Sequence, residues 1–227
     1  MNIENINSSL GSSPEVIKGI TGGFVKSAIS IAINGYKNMV DGCDFQKDWD
    51  EPTITSVLIK YMRLYKERSG IPINVEPEYP LYDDKILSGK VRAKHANRID
   101  IHVQQWGMSE EIYFTFECKR LNNNPALANE YVKEGMMRFI FCKYTSNCKV
   151  GGMIGYLIDG SVFDNVYLIN EKINAQEGLN NDDDLKPEEL INDFKDIYGS
   201  EHTRDKCPSP LKIYHIFCGF QHFYNTR

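Results

Sequence analysis

The chain has 227 residues, enough for one ordinary domain with an appended segment. Hydrophobic residues make up 41% and aromatics 11%, which excludes a disordered chain. The formal net charge of -5 excludes a globally basic nucleic-acid binder, so any contact with a polyanion has to come from a local patch.

The opening MNIENINSS lacks the basic start of a signal peptide. FVKSAISIAINGY is too short, and too interrupted by Lys26 and Asn34, to cross a membrane. A soluble, cytoplasmic protein is expected. Residues 14–40 predict one or two helices broken near Gly22-Gly23, within an N-terminal helical segment over 1–50. From Glu51, EPTITSVLIKYMRLYKERSG reads as a helix, with Ile54, Leu58, Met62 and Tyr65 at helical spacing and Gly70 as its stop. INVEPEYPLYDD is extended, and its prolines confine it to a sheet edge. KILSGKVRAKHANR follows as a basic loop, with Lys85, Lys90, Arg92, Lys94 and Arg98 suited to face phosphates.

RIDIHVQ and IYFTFECKR then alternate polar and apolar residues around WGMSEE, a hairpin signature. After the turn NNNPALA, Glu130 to Tyr144 predict a helix with Val132, Met136, Phe139 and Ile140 inward. KVGGMIGYLIDG is a buried strand, Ser161 to Asn174 a short helix, and GLNNDDDLKPEE an acidic loop. PEELINDFKDIYG predicts a helix and LKIYHIFCGF a closing strand. The order implies an α/β domain over 51–227 whose helices flank a mixed sheet. The six cysteines show no paired spacing, which argues against a disulfide framework and for a reducing compartment. A zinc shared by Cys207, Cys218 and His222 lacks the usual close ligand pairs.

The hairpin carries the chemistry. Centring its turn between Met108 and Ser109 sets Asp100 opposite Glu117, with Cβ atoms roughly 5 Å apart. Lys119 shares their face, while Ile99, Ile101, Val103, Phe114, Phe116 and Cys118 form the core face. Facing carboxylates repel, and a divalent cation would neutralise them. Mg2+, with Mn2+ as substitute, favours one or two carboxylates plus waters and phosphates. The Cys118 carbonyl and the helix-borne Glu51 are further oxygen donors, with Glu78 or Glu76 as alternatives to Glu51. Lys119 could orient an attacking water or stabilise developing charge. On the next helix Tyr131, Glu134 and Arg138 share a face, from which Tyr131 or Arg138 could touch a phosphate or Glu134 and Arg138 simply pair. His102 shares the Asp100 face and, like His95, reads as a surface or DNA-contact residue.

RID at 98–100, the hairpin, and FECKR at 116–120 resemble the PD-(D/E)XK nuclease superfamily, in a bacterial defence-associated form. In that resemblance Asp100 matches the first acid, Glu117 the second and Lys119 the lysine, while Glu51 resembles the helix-borne acid of many members. Ile99 stands where the motif has proline. The resemblance implies a restriction-endonuclease-like mixed central sheet flanked by helices, with core motifs over 51–145. It also implies a Mg2+-dependent nuclease acting on DNA in preference to RNA, as an effector subunit of an anti-phage or restriction system. Cutting both strands would need a homodimer or partner subunits. The alternatives are a catalytically inactive module of the same fold that binds DNA or scaffolds a larger complex, and a metal-independent protein whose acids and lysine form a structural network.

Overall fold

The computed structural model describes residues 14–81, 87–88, 92, 94, 96–107, 113–144 and 149–221. Lys85, Lys90, His95 and His222, singled out in the sequence, lie outside the described residues.

Helix α1 (Pro14–Gly42) runs unbroken through Gly22-Gly23, contrary to the expected interruption. Each glycine weakens a helix by roughly 1 kcal/mol. Burial of Phe24, Ala28, Ile29, Ile33 and Met39 on the following turns outweighs that cost. Helix α2 (Glu51–Arg68) starts where predicted, because the Asp50 side chain accepts the Thr53 N–H at 2.9 Å and Pro52 occupies the first turn. The two helices cross closely at Gly35, where a Cβ would stand 2.6 Å from Met62 Cγ. Only glycine fits there.

A seven-stranded mixed sheet follows, in the order β1-β2-β3-β4-β7-β6-β5. Strands β1 (Ile73–Leu81), β2 (Asn97–Gln105) and β3 (Tyr113–Leu121) form an antiparallel meander, with the proline-bearing β1 at the edge as expected. Helix α3 then crosses over in three segments: Pro125–Glu130, a π-helical turn at Tyr131–Met136, and Met137–Ile140. It returns the chain to β4 (Val150–Leu157), parallel to β3. After α4 (Val162–Asn174), strands β5 (Lys186–Pro187), β6 (Ile197–His202) and β7 (Leu211–Gly219) complete the sheet, with β7 parallel to β4.

The helix expected over PEELINDFKDIYG does not form. Leu190, Ile191 and Phe194 carry a helical spacing but pack singly against the α1 side, while Ile197 to His202 pair with β7. The backbone hydrogen bonds of the sheet outcompete a short, weakly amphipathic helix. α1 and α2 cover one face of the sheet over Ile101, Val103, Phe114, Phe116 and Cys118. On the other face α3 and α4 pack with Ile99, Met153, Leu157 and Phe217.

Ile99 therefore leaves the face expected for it. The β2–β3 ladder stops at Ile101↔Phe116, and the Asp100 carboxylate, in place of a backbone carbonyl, takes the Cys118 N–H. The strand turns over at that point. The cysteine expectation is also corrected: Cys142 and Cys207 form a disulfide, with Cα atoms 6.3 Å apart. That pairing removes Cys207 from any zinc site, and Cys218 is buried. No helix among the described residues is long and apolar enough to cross a membrane.

Candidate functional site

The paired residues of β2 and β3 run from Gln104↔Tyr113 to Ile101↔Phe116. Continuing the count by one sets Asp100 against Glu117, the register derived from the turn. Asp100 Oδ2 accepts the Cys118 N–H at 2.7 Å, so the first acid is fastened to the strand carrying the second. Glu117 is fully buried, and its Oε1 accepts from Arg138 at 2.8 Å and lies 3.1 Å from Lys119 Nζ. Its Oε2 has no hydrogen-bond partner among the described residues.

Glu51 arrives from the first turn of α2, whose N-terminal dipole favours a carboxylate. One of its oxygens accepts from Lys119 at 2.9 Å and the other from the Arg120 N–H at 3.1 Å. The Lys119 ammonium also donates to the Cys118 carbonyl at 2.9 Å. Arg138 is held from behind: it donates to the Tyr144 hydroxyl at 2.7 Å, which donates to the Arg98 carbonyl at 2.6 Å. α3 lies close over β4 at Gly135, where a Cβ would meet the flexible end of the Met153 side chain.

The electrostatics follow from burial. Desolvation raises the pKa of Asp100 above the usual carboxylate range, against the pull of the Cys118 N–H and Lys119. Burial, and then the neighbouring Asp100 charge, push Glu117 up to about 7. Burial alone would lower Lys119, but Glu117 and Glu51 outweigh it and hold the ammonium above its ordinary value. Two cations, Lys119 and Arg138, thus offset two of the three carboxylate charges within the chain.

Glu51, Glu78 and Asp100 line a cleft of about 60 Å³ between the start of α2 and strands β1–β2. Glu78 adopts a left-handed backbone (φ 44°) and pairs with Arg98 at 3.7 Å. Glu76 is engaged with Arg63 and Asn74 and does not line this cleft. A larger cavity of about 640 Å³, bordered by Phe141, Asp183 and Arg204, contains none of the motif acids. The convergence of charged groups, and not cavity size, marks the site.

Among the described residues no group of three or more His, Cys, Asp or Glu forms a ready metal cage. The donor set nevertheless fits a hard divalent cation. Asp100, Glu117 and Glu51 offer oxygens, and a buried carboxylate oxygen without a partner, such as Glu117 Oε2, costs about 1–3 kcal/mol or more until something satisfies it.

Arg92, Lys94 and Arg98 are exposed, as phosphate contacts must be. Arg138 joins the site through Glu117 and keeps part of its surface in solvent. Tyr131 does not: it is fully buried, its hydroxyl 2.9 Å from His215 Nδ1. The π turn, with its i→i+5 spacing, rotates Tyr131 away from the face that a regular helix would share with Arg138. His102 is likewise buried, stacked on Tyr79 at 4.0 Å, so the surface role expected for it is withdrawn.

A buried polar chain is absent from the expectations above: His215 Nε2 and His202 Nε2 both meet the Ser200 hydroxyl, at 2.9 and 2.7 Å. His202 Nδ1 in turn lies 2.7 Å from Asp183. Only the alternation within IYGSEH could have hinted at it. Ser200, His202 and His215 are all buried, while Asp183 at the end of the chain borders the larger cavity. Comparisons with protein-family models, curated proteins and solved structures found no match.

Proposed function

We propose that this protein is a metal-dependent nuclease hydrolysing phosphodiester bonds, with DNA preferred to RNA. The observation that carries the reading is the meeting of Asp100, Glu117, Lys119 and Glu51, from β2, β3 and α2, beside a cleft lined by Glu78, to which the exposed Arg98 pairs. The succession α2-β1-β2-β3-α3-β4 builds a mixed sheet flanked by helices, and membership of the PD-(D/E)XK superfamily is part of the same proposal.

Asp100, Glu117 and Glu51, with the Cys118 carbonyl, would hold a Mg2+ ion. Bound there, the ion would supply Lewis-acid polarisation of a phosphoryl oxygen. Lys119 provides the mobile positive charge for an attacking water or for charge developing on phosphorus. Arg138 positions Glu117, sharing its Oε1 with Lys119. Arg92, Lys94 and Arg98 would hold the phosphate backbone without reading sequence. Service as an effector subunit in a restriction or anti-phage system, with a second copy or partner subunits for double-strand cutting, is part of the same proposal.

A second reading, an inactive nuclease-fold module that binds DNA or scaffolds a complex, is favoured by one observation: Lys119 and Arg138 already offset two of the three acids. Incubation of purified protein with supercoiled, linear and single-stranded DNA and with RNA, in Mg2+, Mn2+ or EDTA, separates the two. Metal-dependent cleavage supports the nuclease. Binding without cleavage in any metal supports the module.

A further inference from the structure

Lys119 Nζ lies 2.9 Å from Glu51 Oε1, 2.9 Å from the Cys118 carbonyl and 3.1 Å from Glu117 Oε1. These are three of the oxygen donors that the proposed function gives to a divalent cation. The Lys119 side chain is 13% exposed, so it sits within the site and does not hang over it. The backbone explains why it can reach all three. Cys118 turns its N–H and its carbonyl toward the same strand edge, where Asp100 takes the N–H. The adjacent Lys119 then folds back to the carbonyl, and the start of α2 brings Glu51 to the same point.

We infer that Lys119 is the resident counter-ion of this site, occupying the position a divalent cation would take, so that metal entry and the ammonium compete. The inference rests on the nuclease reading for the metal, and on the geometry above for the competition. Three carboxylates (Glu51, Asp100, Glu117) face two cations (Lys119, Arg138), a formal charge of -1. Removing Lys119 leaves -2 and frees three oxygens. The metal-free protein is thereby protected from repulsion among its acids, at the expense of metal affinity. On metal entry the ammonium leaves its three acceptors. Its stem is anchored on β3, so it stays beside the cleft, where the proposed chemistry needs a cation.

The test is calorimetric titration with MnCl2 of the full chain as wild type, Lys119→Met and Lys119→Gln. Both variants keep most of the stem and lose the charge. We expect each to bind Mn2+ about tenfold or more tightly than wild type, from removal of one unit charge at contact distance. In wild type, reductive methylation read by mass spectrometry should label Lys119 several-fold faster with saturating Mn2+ than in EDTA. That measurement decides the matter even if both variants fail to fold. Wild-type binding with equal or weaker affinity in both folded variants, or labelling of Lys119 indifferent to Mn2+ that binds, overturns the inference and leaves the nuclease reading standing. Absence of Mn2+ binding in all three proteins overturns the inference together with the metal-dependent reading.

Discussion

His102 offers a prediction whose size can be worked from the structure. It lies on β2 opposite Thr115, 4% exposed, with its ring flat against Tyr79 and Nδ1 without a hydrogen-bond partner among the described residues. Burial lowers its pKa from 6.5 to about 4, and Glu76 only partly offsets that. Folding therefore favours the neutral imidazole. As pH falls below 6.5 the unfolded chain takes up a proton that the folded chain refuses until about 4, so stability is full above 6.5 and lost as pH falls. Linkage between those two values removes about 2 kcal/mol on going from about pH 8 to about pH 5, and about 3 kcal/mol below both. Buried His202 and His215 act in the same direction, so the contribution of His102 has to be taken as a difference. His102→Phe keeps a ring against Tyr79, removes the buried Nδ1 and cannot titrate. Urea unfolding of both proteins across that pH range should show them diverging, the variant gaining about 2 kcal/mol on wild type at the acid end. Parallel curves would mean that His102 titrates freely, and the reasoning that withdrew it from the surface would fail.

Three further expectations concern the site and its support. Lys119→Gln should lower cleavage by about a hundredfold or more while Mn2+ binding strengthens; a variant that cuts like wild type would show that the ammonium has no part in the reaction. Neutralising Arg92 and Lys94 should flatten the log–log salt dependence of duplex binding by about 0.9 for each phosphate that the protein no longer neutralises, and an unchanged slope would place the DNA surface elsewhere. Asp183→Ala removes the carboxylate from His202 Nδ1 and the acid of the Asn180 cap, and should cost about 1–3 kcal/mol in denaturant unfolding. Unaltered stability would show that the buried polar chain is dispensable.

Much of the site was legible because a β-hairpin obeys a count. Period-two alternation and a centred turn set Asp100 against Glu117 and Lys119 two residues on, and the observed ladder keeps that register as far as Ile101↔Phe116, one pair short of the acids. The start of α2 was legible for a similar local reason: an Asp cap, a first-turn proline and an apolar stripe lie within a few residues of one another. What surrounds these elements is not a local property. Arg138 meets Glu117 across 21 residues, and Glu51 meets Lys119 across 68. Such partners depend on which helix covers which face. A π turn decides that Arg138 looks toward the site while Tyr131 is buried. The helix expected before β6 lost to pairing with β7, and the expected break in α1 lost to its buried side chains. In each case a weak local preference of order 1 kcal/mol met a larger sum of burial and hydrogen bonding from distant residues. The sequence alone determined the hairpin register and the face that Glu117 shares with Lys119, because both depend on near neighbours. The counter-ions, the burial and hence the shifted pKa values came only from tertiary structure, because charge in a protein interior is governed by whatever the fold brings within a few ångströms.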